Sequence, residues 1–132
     1  MKEPLWLNRE DSLAIHEMML AQHGGLAGVR DEGLLESALS KPRNLFAYAK
    51  PTLAALAGSY AAGIILNHPF LDGNKRTGFM LAATFLETNG LQLTAPEESV
   101  VERTLALAAG KLNQDGYATW LKANSRKHVR IR

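Results

Sequence analysis

One run of small and apolar residues, Leu53 to about Asn67, restricts the fold more than anything else in the chain. Leu53, Ala54, Leu56, Ala57, Tyr60, Ala61, Ile64 and Ile65 fall on nearly every face of a helix drawn through it. A helix that is apolar all round has to be enclosed by protein. Thr52 is placed to cap its start. Ala55, Gly58, Ala61, Ala62 and Gly63 leave room for neighbours to approach closely. Gly58, Ser59 and Gly63 break the apolar run, which falls short of the roughly 18 residues a membrane span needs. The rest of the chain therefore has to build walls around one central helix.

Those walls read as helices too. A first helix is expected from about Arg9 to His23, capped by Asn8, with Glu10 and Asp11 at its positive end. Gly24 and Gly25 stop it. Asp31 is a plausible cap for a second helix carrying Leu34, Leu35, Ala38 and Leu39 at helical spacing. Pro42 is expected to limit that helix, leaving 43–51 as an irregular segment in which Leu45 to Tyr48 form a short strand or flap. Another helix is expected from about Lys75 to Thr88, closed by Asn89-Gly90. Thr94-Ala95-Pro96-Glu97 resembles a capping box starting a helix that reaches about Gly110. The last helix spans about Gly116 to Ala123, with Tyr117, Trp120 and Leu121 facing inward. About six helices and little strand predict an all-α bundle forming a single domain over 1–132.

Composition removes several function classes. The chain has no cysteine, so a thiol nucleophile, a disulfide framework and Cys-type zinc sites are excluded. The N-terminus lacks an apolar run of signal-peptide length. The expected protein is soluble and cytoplasmic, with no membrane partner. A net charge of +2 does not argue for nucleic acid as a partner. Lys122, Arg126, Lys127, Arg130 and Arg132 gather at the end and read as a solvated tail.

The chemistry concentrates where the central helix ends, in His68-Pro69-Phe70-Leu71-Asp72-Gly73-Asn74-Lys75-Arg76. Pro69 bars simple continuation of the helix, and Phe70 is suited to anchor the loop in the core. Gly73 allows a backbone conformation that other residues resist. A loop feeding a helix N-terminus offers free N–H groups and partial positive charge to a phosphate. Lys75 adds a point charge, Arg76 can grip two phosphate oxygens, and Asn74 can donate a neutral hydrogen bond. Asp72 would repel phosphate unless it holds Mg²⁺, which takes one or two carboxylates together with phosphate oxygens. His68 has the chemistry to take a proton from an attacking hydroxyl. Singly, each residue has a plainer role: a helix-end histidine as a cap, Asp-Gly-Asn as a turn, Lys-Arg as surface charge. Two cations at a helix start oppose the dipole, however, and a bound anion supplies the reason for them. His16 and His23 could share a face of the first helix, but no third metal ligand is evident, and core or surface placement is the reading. Gly110-Lys111 lacks the rest of a phosphate-binding P-loop.

These residues resemble the Fic/Doc family, whose core reads His-x-Phe-x-Asp/Glu-Gly/Ala-Asn-x-Arg, and in particular its death-on-curing branch. Ile15-His16, His23-Gly24-Gly25-Leu26, the stretch Arg30 to Leu39 and Phe85 to Gly90 extend the resemblance over nearly the whole chain. Family members that transfer AMP have glycine where this chain has Lys75, and a second arginine where it has Phe79. Lysine is typical of the death-on-curing toxins, so the resemblance implies a protein kinase that moves the γ-phosphate of ATP. It implies a threonine of translation elongation factor Tu as target and arrested translation as outcome. Under it His68 is the general base and Asp72 holds Mg²⁺. Gly73, Asn74, Lys75 and Arg76 then bind the nucleotide phosphates. AMP transfer, a non-catalytic binding protein and a nucleic-acid binder resting on the basic tail are the alternatives. No inhibitory Ser/Thr-x-x-x-Glu-Gly/Asn helix is present: Thr94 to Glu98 comes nearest, contains Pro96 and is followed by Ser99. Restraint would come from a separate antitoxin whose tail folds as a helix into an apolar groove, expected beside the first two helices.

Overall fold

In the computed structural model, which describes residues 2–128, six helices and two short strands follow one another along the chain. Helices α1 (Arg9–His23), α2 (Glu32–Tyr48), α3 (Leu53–Asn67) and α4 (Asn74–Thr88) come first. Strand β1 (Leu91–Leu93), helices α5 (Glu97–Ala108) and α6 (Gln114–Ala123) and strand β2 (Ser125–Lys127) complete the order. Helix α3 is the axis of the bundle, with α2, α4, α5 and α6 packed around it. Ala54 and every residue from Leu56 to Ile65 are buried, as the all-round apolar pattern requires.

Small residues set the distances. A Cβ on Gly78 of α4 would stand 2.7 Å from Ile65 Cγ1 and 3.1 Å from the Ala61 carbonyl oxygen. The first turns of α4 therefore lie directly on the backbone of α3. Since the loop 68–73 joins these two helices, its ends are fixed by close helix packing. The expected caps are present: Asn8 forms a reciprocal box with Asp11, Asp31 accepts from Leu34 N, and Thr52 accepts from Ala55 N.

Three expectations are corrected. Pro42 does not end α2, which continues to Tyr48, so no strand or flap forms there. Proline removes one intrahelical donor, the N–H that would reach the Ala38 carbonyl. That carbonyl faces Gly63, where α2 and α3 approach closely. Beyond the proline, Leu45 and Phe46 pack on the core and Trp6 meets Phe46 edge-on at 5.7 Å. Burying such side chains recovers about 1.5–3 kcal/mol each when complete, enough to offset a cost of about 3 kcal/mol. Thr94 does not cap α5. Its N–H and hydroxyl both donate to the Asn124 carbonyl, and Pro96 takes the cap position with no side-chain bond. That pairing belongs to the third difference, the antiparallel pair β1–β2, which matches Leu91 with Lys127 and Leu93 with Ser125.

Tyr117 of α6 is fully buried, and its hydroxyl lies 2.8 Å from Thr104 Oγ1 of α5. Burial pushes its pKa up to about 12 from an ordinary 10.0, against a smaller opposing effect of the Thr104 bond. A raised folded-state pKa gives stability that is complete below about 10 and drains away as the pH climbs towards about 12. The loss amounts to about 2–3 kcal/mol at roughly 1.4 kcal/mol per unit. Denaturant unfolding between these limits should show it, with a shallower decline in Tyr117→Phe.

Candidate active site

Helix α3 is stopped by His68, whose φ of 56° and ψ of 52° place it in the left-handed region. It is the one non-glycine residue with positive φ among the described residues. Such a conformation is uncommon outside glycine and persists when its surroundings hold it. Here Arg30 does so: its Nε donates to the His68 carbonyl at 2.7 Å and its Nη2 to the Asn67 carbonyl at 3.0 Å. The backbone N–H groups of Arg30 and Asp31 both donate to the Pro69 carbonyl, and Leu71 N donates to the Gly28 carbonyl. Residues 28–31 thus strap the loop from outside. From inside, Phe70 is fully buried and anchors it in the core.

Beyond Phe70 the chain turns through Gly73, at φ 77°, into α4. Thr77 N is the first to find a helical acceptor, the Gly73 carbonyl. The backbone N–H groups of Asn74, Lys75 and Arg76 have no acceptor among the described residues. Three unsatisfied donors at the positive end of a dipole form an anion cradle. Lys75 and Arg76 are exposed and make no hydrogen bond or ion pair among the described residues, so both charges remain available. Gly73 N is not free, because it donates to Asp72 Oδ1 at 2.9 Å. Gly73 therefore serves the cradle through its conformation.

Asn74 departs from its expected part. Its side chain is buried rather than turned to the cradle. Oδ1 accepts from Phe70 N, and Nδ2 donates to the Phe70 carbonyl and contacts His68 Nδ1 at 3.1 Å. Because Phe70 supplies a donor on one side and an acceptor on the other, the amide orientation is determined. Nδ2 is therefore a donor to His68 Nδ1, and the neutral ring in this geometry carries its proton on Nε2. Only the backbone N–H of Asn74 is left without an acceptor among the described residues.

Asp72 is exposed, and its Oδ2 accepts from Leu26 N at 3.2 Å. No group of three metal-ligating side chains occurs among the described residues. One accessible carboxylate beside an anion cradle fits Mg²⁺ that arrives with phosphates and supplies most of its own ligands from phosphate and water.

The loop forms the polar side of a cleft of about 760 Å³. Met19, Gln22 and His23 of α1 border it, and Phe79, Met80, Leu93, Val100 and Leu105 give it an apolar wall. The cleft lies between α1, α4 and α5, and α2 lines none of it. Phe79 leans on Trp120 at 6.5 Å and brings no charge. Arg126 and Lys127 of the basic tail lie on β2 and do not line the cleft; Arg130 and Arg132 fall outside the described residues.

Two residues outside the motif contact it directly. Arg30 sits in a segment that reads simply as a loop, and nothing local marks its reach to residues 67 and 68. His16 reads from the sequence as a core or surface residue rather than a metal ligand. In the structure it is buried and stacked on Phe70.

The Fic/DOC family pattern matches residues 6–86, from the segment before α1 through most of α4. The chain belongs to this family. Among similar proteins, one called Protein kinase doc, from Escherichia phage P1, is 29% identical over 117 residues, covering 88% of this chain and 92% of that protein. Another, called Toxin Doc, from Mycolicibacterium smegmatis, is 39% identical over 92 residues, covering 68% of each chain. Both names place these relatives in the Doc branch. No helix among the described residues is long and apolar enough to cross a membrane.

Proposed function

We propose that this protein is a Doc-type toxin that phosphorylates a protein hydroxyl with ATP, and that a separate antitoxin restrains it. The observation that carries the reading is the cradle: the free N–H groups of Asn74, Lys75 and Arg76 with two uncommitted cations, beside an exposed histidine. Phosphoryl transfer asks a protein mainly for positioning and charge stabilisation. The target oxygen attacks the γ-phosphorus, the bond to the bridging oxygen breaks, and ADP leaves. His68 receives the hydroxyl proton. Asp72 would hold Mg²⁺, which neutralises phosphate charge when bound. Phe79 in place of a second arginine, and Lys75 in place of glycine, favour γ-phosphate transfer over AMP transfer. The phage relative named as a kinase supports the same choice. We take a threonine of elongation factor Tu as the substrate and the cytoplasm as the place of action. The apolar wall of the cleft suits an amphipathic antitoxin helix.

The Asn74 contact favours a second role for His68. A ring held with its proton on Nε2 donates to a phosphate oxygen and takes no proton there. To act as base, the ring has to leave Asn74 or exchange tautomer once substrate is bound, a change of the kind catalytic groups undergo on complex formation.

The test is a cell extract supplied with ATP labelled at either the α- or the γ-position. Label from the γ-position on one protein, identified as elongation factor Tu, supports the kinase. Label from the α-position transfers the conclusion to AMP transfer, and no label from either leaves only a binding role.

A further inference from the structure

His16 lies far from the motif in sequence, yet it touches the motif twice. The residue is buried, at 4% relative exposure, and its ring stacks on Phe70 with centroids 3.9 Å apart and planes 9° from parallel. Its Nε2 is 2.8 Å from the Asp72 carbonyl oxygen. A carbonyl only accepts, so this nitrogen carries the hydrogen and the neutral ring has the Nε2–H tautomer. The contact falls on the peptide that leads from Asp72 into Gly73, where the chain changes from loop to left-handed turn to helix. Gly73 itself packs against the same ring: a Cβ there would stand 3.7 Å from His16 Nε2.

We propose that His16 is a positioning residue of the phosphate site, fixing through the Asp72 carbonyl where the Asp72 carboxylate and the first N–H groups of α4 point. This rests on the reading of the loop as a nucleotide site. The plainer alternative is a core histidine that only fills space. Space filling asks for a flat ring against Phe70 and is indifferent to a hydrogen-bond donor. Positioning requires the donor. Small errors in the direction of a donor or carboxylate weaken a preorganised site strongly.

Two substitutions separate these roles. His16→Phe keeps a flat ring on Phe70 and loses the donor. His16→Gln loses the ring and places an amide N–H near the position of Nε2. The first measurement needs no nucleotide: hydrogen exchange of the Phe70, Leu71 and Gly73 amides in the whole protein. Each of these is bonded within the loop or to its strap. Positioning predicts exchange at least about tenfold faster in His16→Phe and largely restored in His16→Gln. Nitrogen NMR of wild type should show His16 Nε2 as a protonated N–H. Wild-type ATP binding, read in parallel, judges the nucleotide reading by itself. Where ATP binds, its KM should rise about tenfold in His16→Phe with a smaller change in kcat, and recover in His16→Gln. Unchanged loop exchange in His16→Phe overturns the proposal. So does equal loss in both variants in step with their melting temperatures, which makes the residue a filler. If the loop responds as predicted but wild type binds no ATP, His16 still positions the loop and the kinase reading fails.

Discussion

His68→Ala is expected to lower phosphate transfer to the target by about 10²- to 10⁴-fold, the usual contribution of a proton-handling side chain, and to remove toxicity with it. The melting temperature should change little. The imidazole is exposed, its one side-chain hydrogen bond among the described residues is with Asn74, and the clamp from Arg30 falls on the backbone carbonyl, which the substitution retains. Histidine and alanine both carry a Cβ, so neither escapes the cost of the left-handed cap. A variant that still transfers phosphate at wild-type rate would remove His68 from the mechanism. Growth arrest with transfer lost would revive the binding-protein reading. Nitrogen NMR of His68, without and with a non-hydrolysable ATP analogue, separates its two roles. A proton on Nε2 in both states makes the ring a donor. A proton that moves to Nδ1 on binding frees Nε2 as the base, and the Asn74 contact must then be lost.

How much of this was legible in the sequence depends on how far apart the deciding residues are. Helix α3 needed no partner to be recognised, because an all-round apolar helix has one possible environment. The caps at Asn8, Asp31 and Thr52 act within three residues and were readable for that reason. Pro42 misleads because its local cost is certain, while the packing that outweighs it involves Gly63 and Trp6, distant in sequence. Strand β2 is Ser125-Arg126-Lys127, polar throughout and without alternation, so only its pairing with β1 makes it a strand. The site divides the same way. The cluster of free N–H groups and cations follows from a glycine, a helix start and two cations in succession. The strap through Arg30 and the contact from His16 join α1 and its following loop to a motif 38 and 56 residues later. Nothing in a local pattern encodes them. Asn74 is the instructive intermediate: its place in the motif is evident, but its inward direction depends on where Phe70 is anchored.

That direction gives Asn74→Ala a distinct signature. Had the side chain been a phosphate ligand, its loss would raise the KM for ATP and leave the fold alone. Buried between the N–H and carbonyl of Phe70, it instead closes the turn that returns the chain from α3 to α4. Removing it leaves a buried donor and a buried acceptor without partners, each costing about 1–3 kcal/mol. The expected destabilisation is about 2–4 kcal/mol, and the melting temperature should fall by roughly 10 °C in a domain of this size. Activity should fall at least as far as in His68→Ala, because the same substitution releases the His68 ring and loosens the turn presenting the Lys75 and Arg76 N–H groups. Asn74→Asp is the control. It keeps an acceptor for Phe70 N but sets a buried carboxylate oxygen against the Phe70 carbonyl, so it should be no more stable than Asn74→Ala. If Asn74→Ala melts with wild type and only its KM for ATP rises, the side chain serves the nucleotide and the turn is held without it.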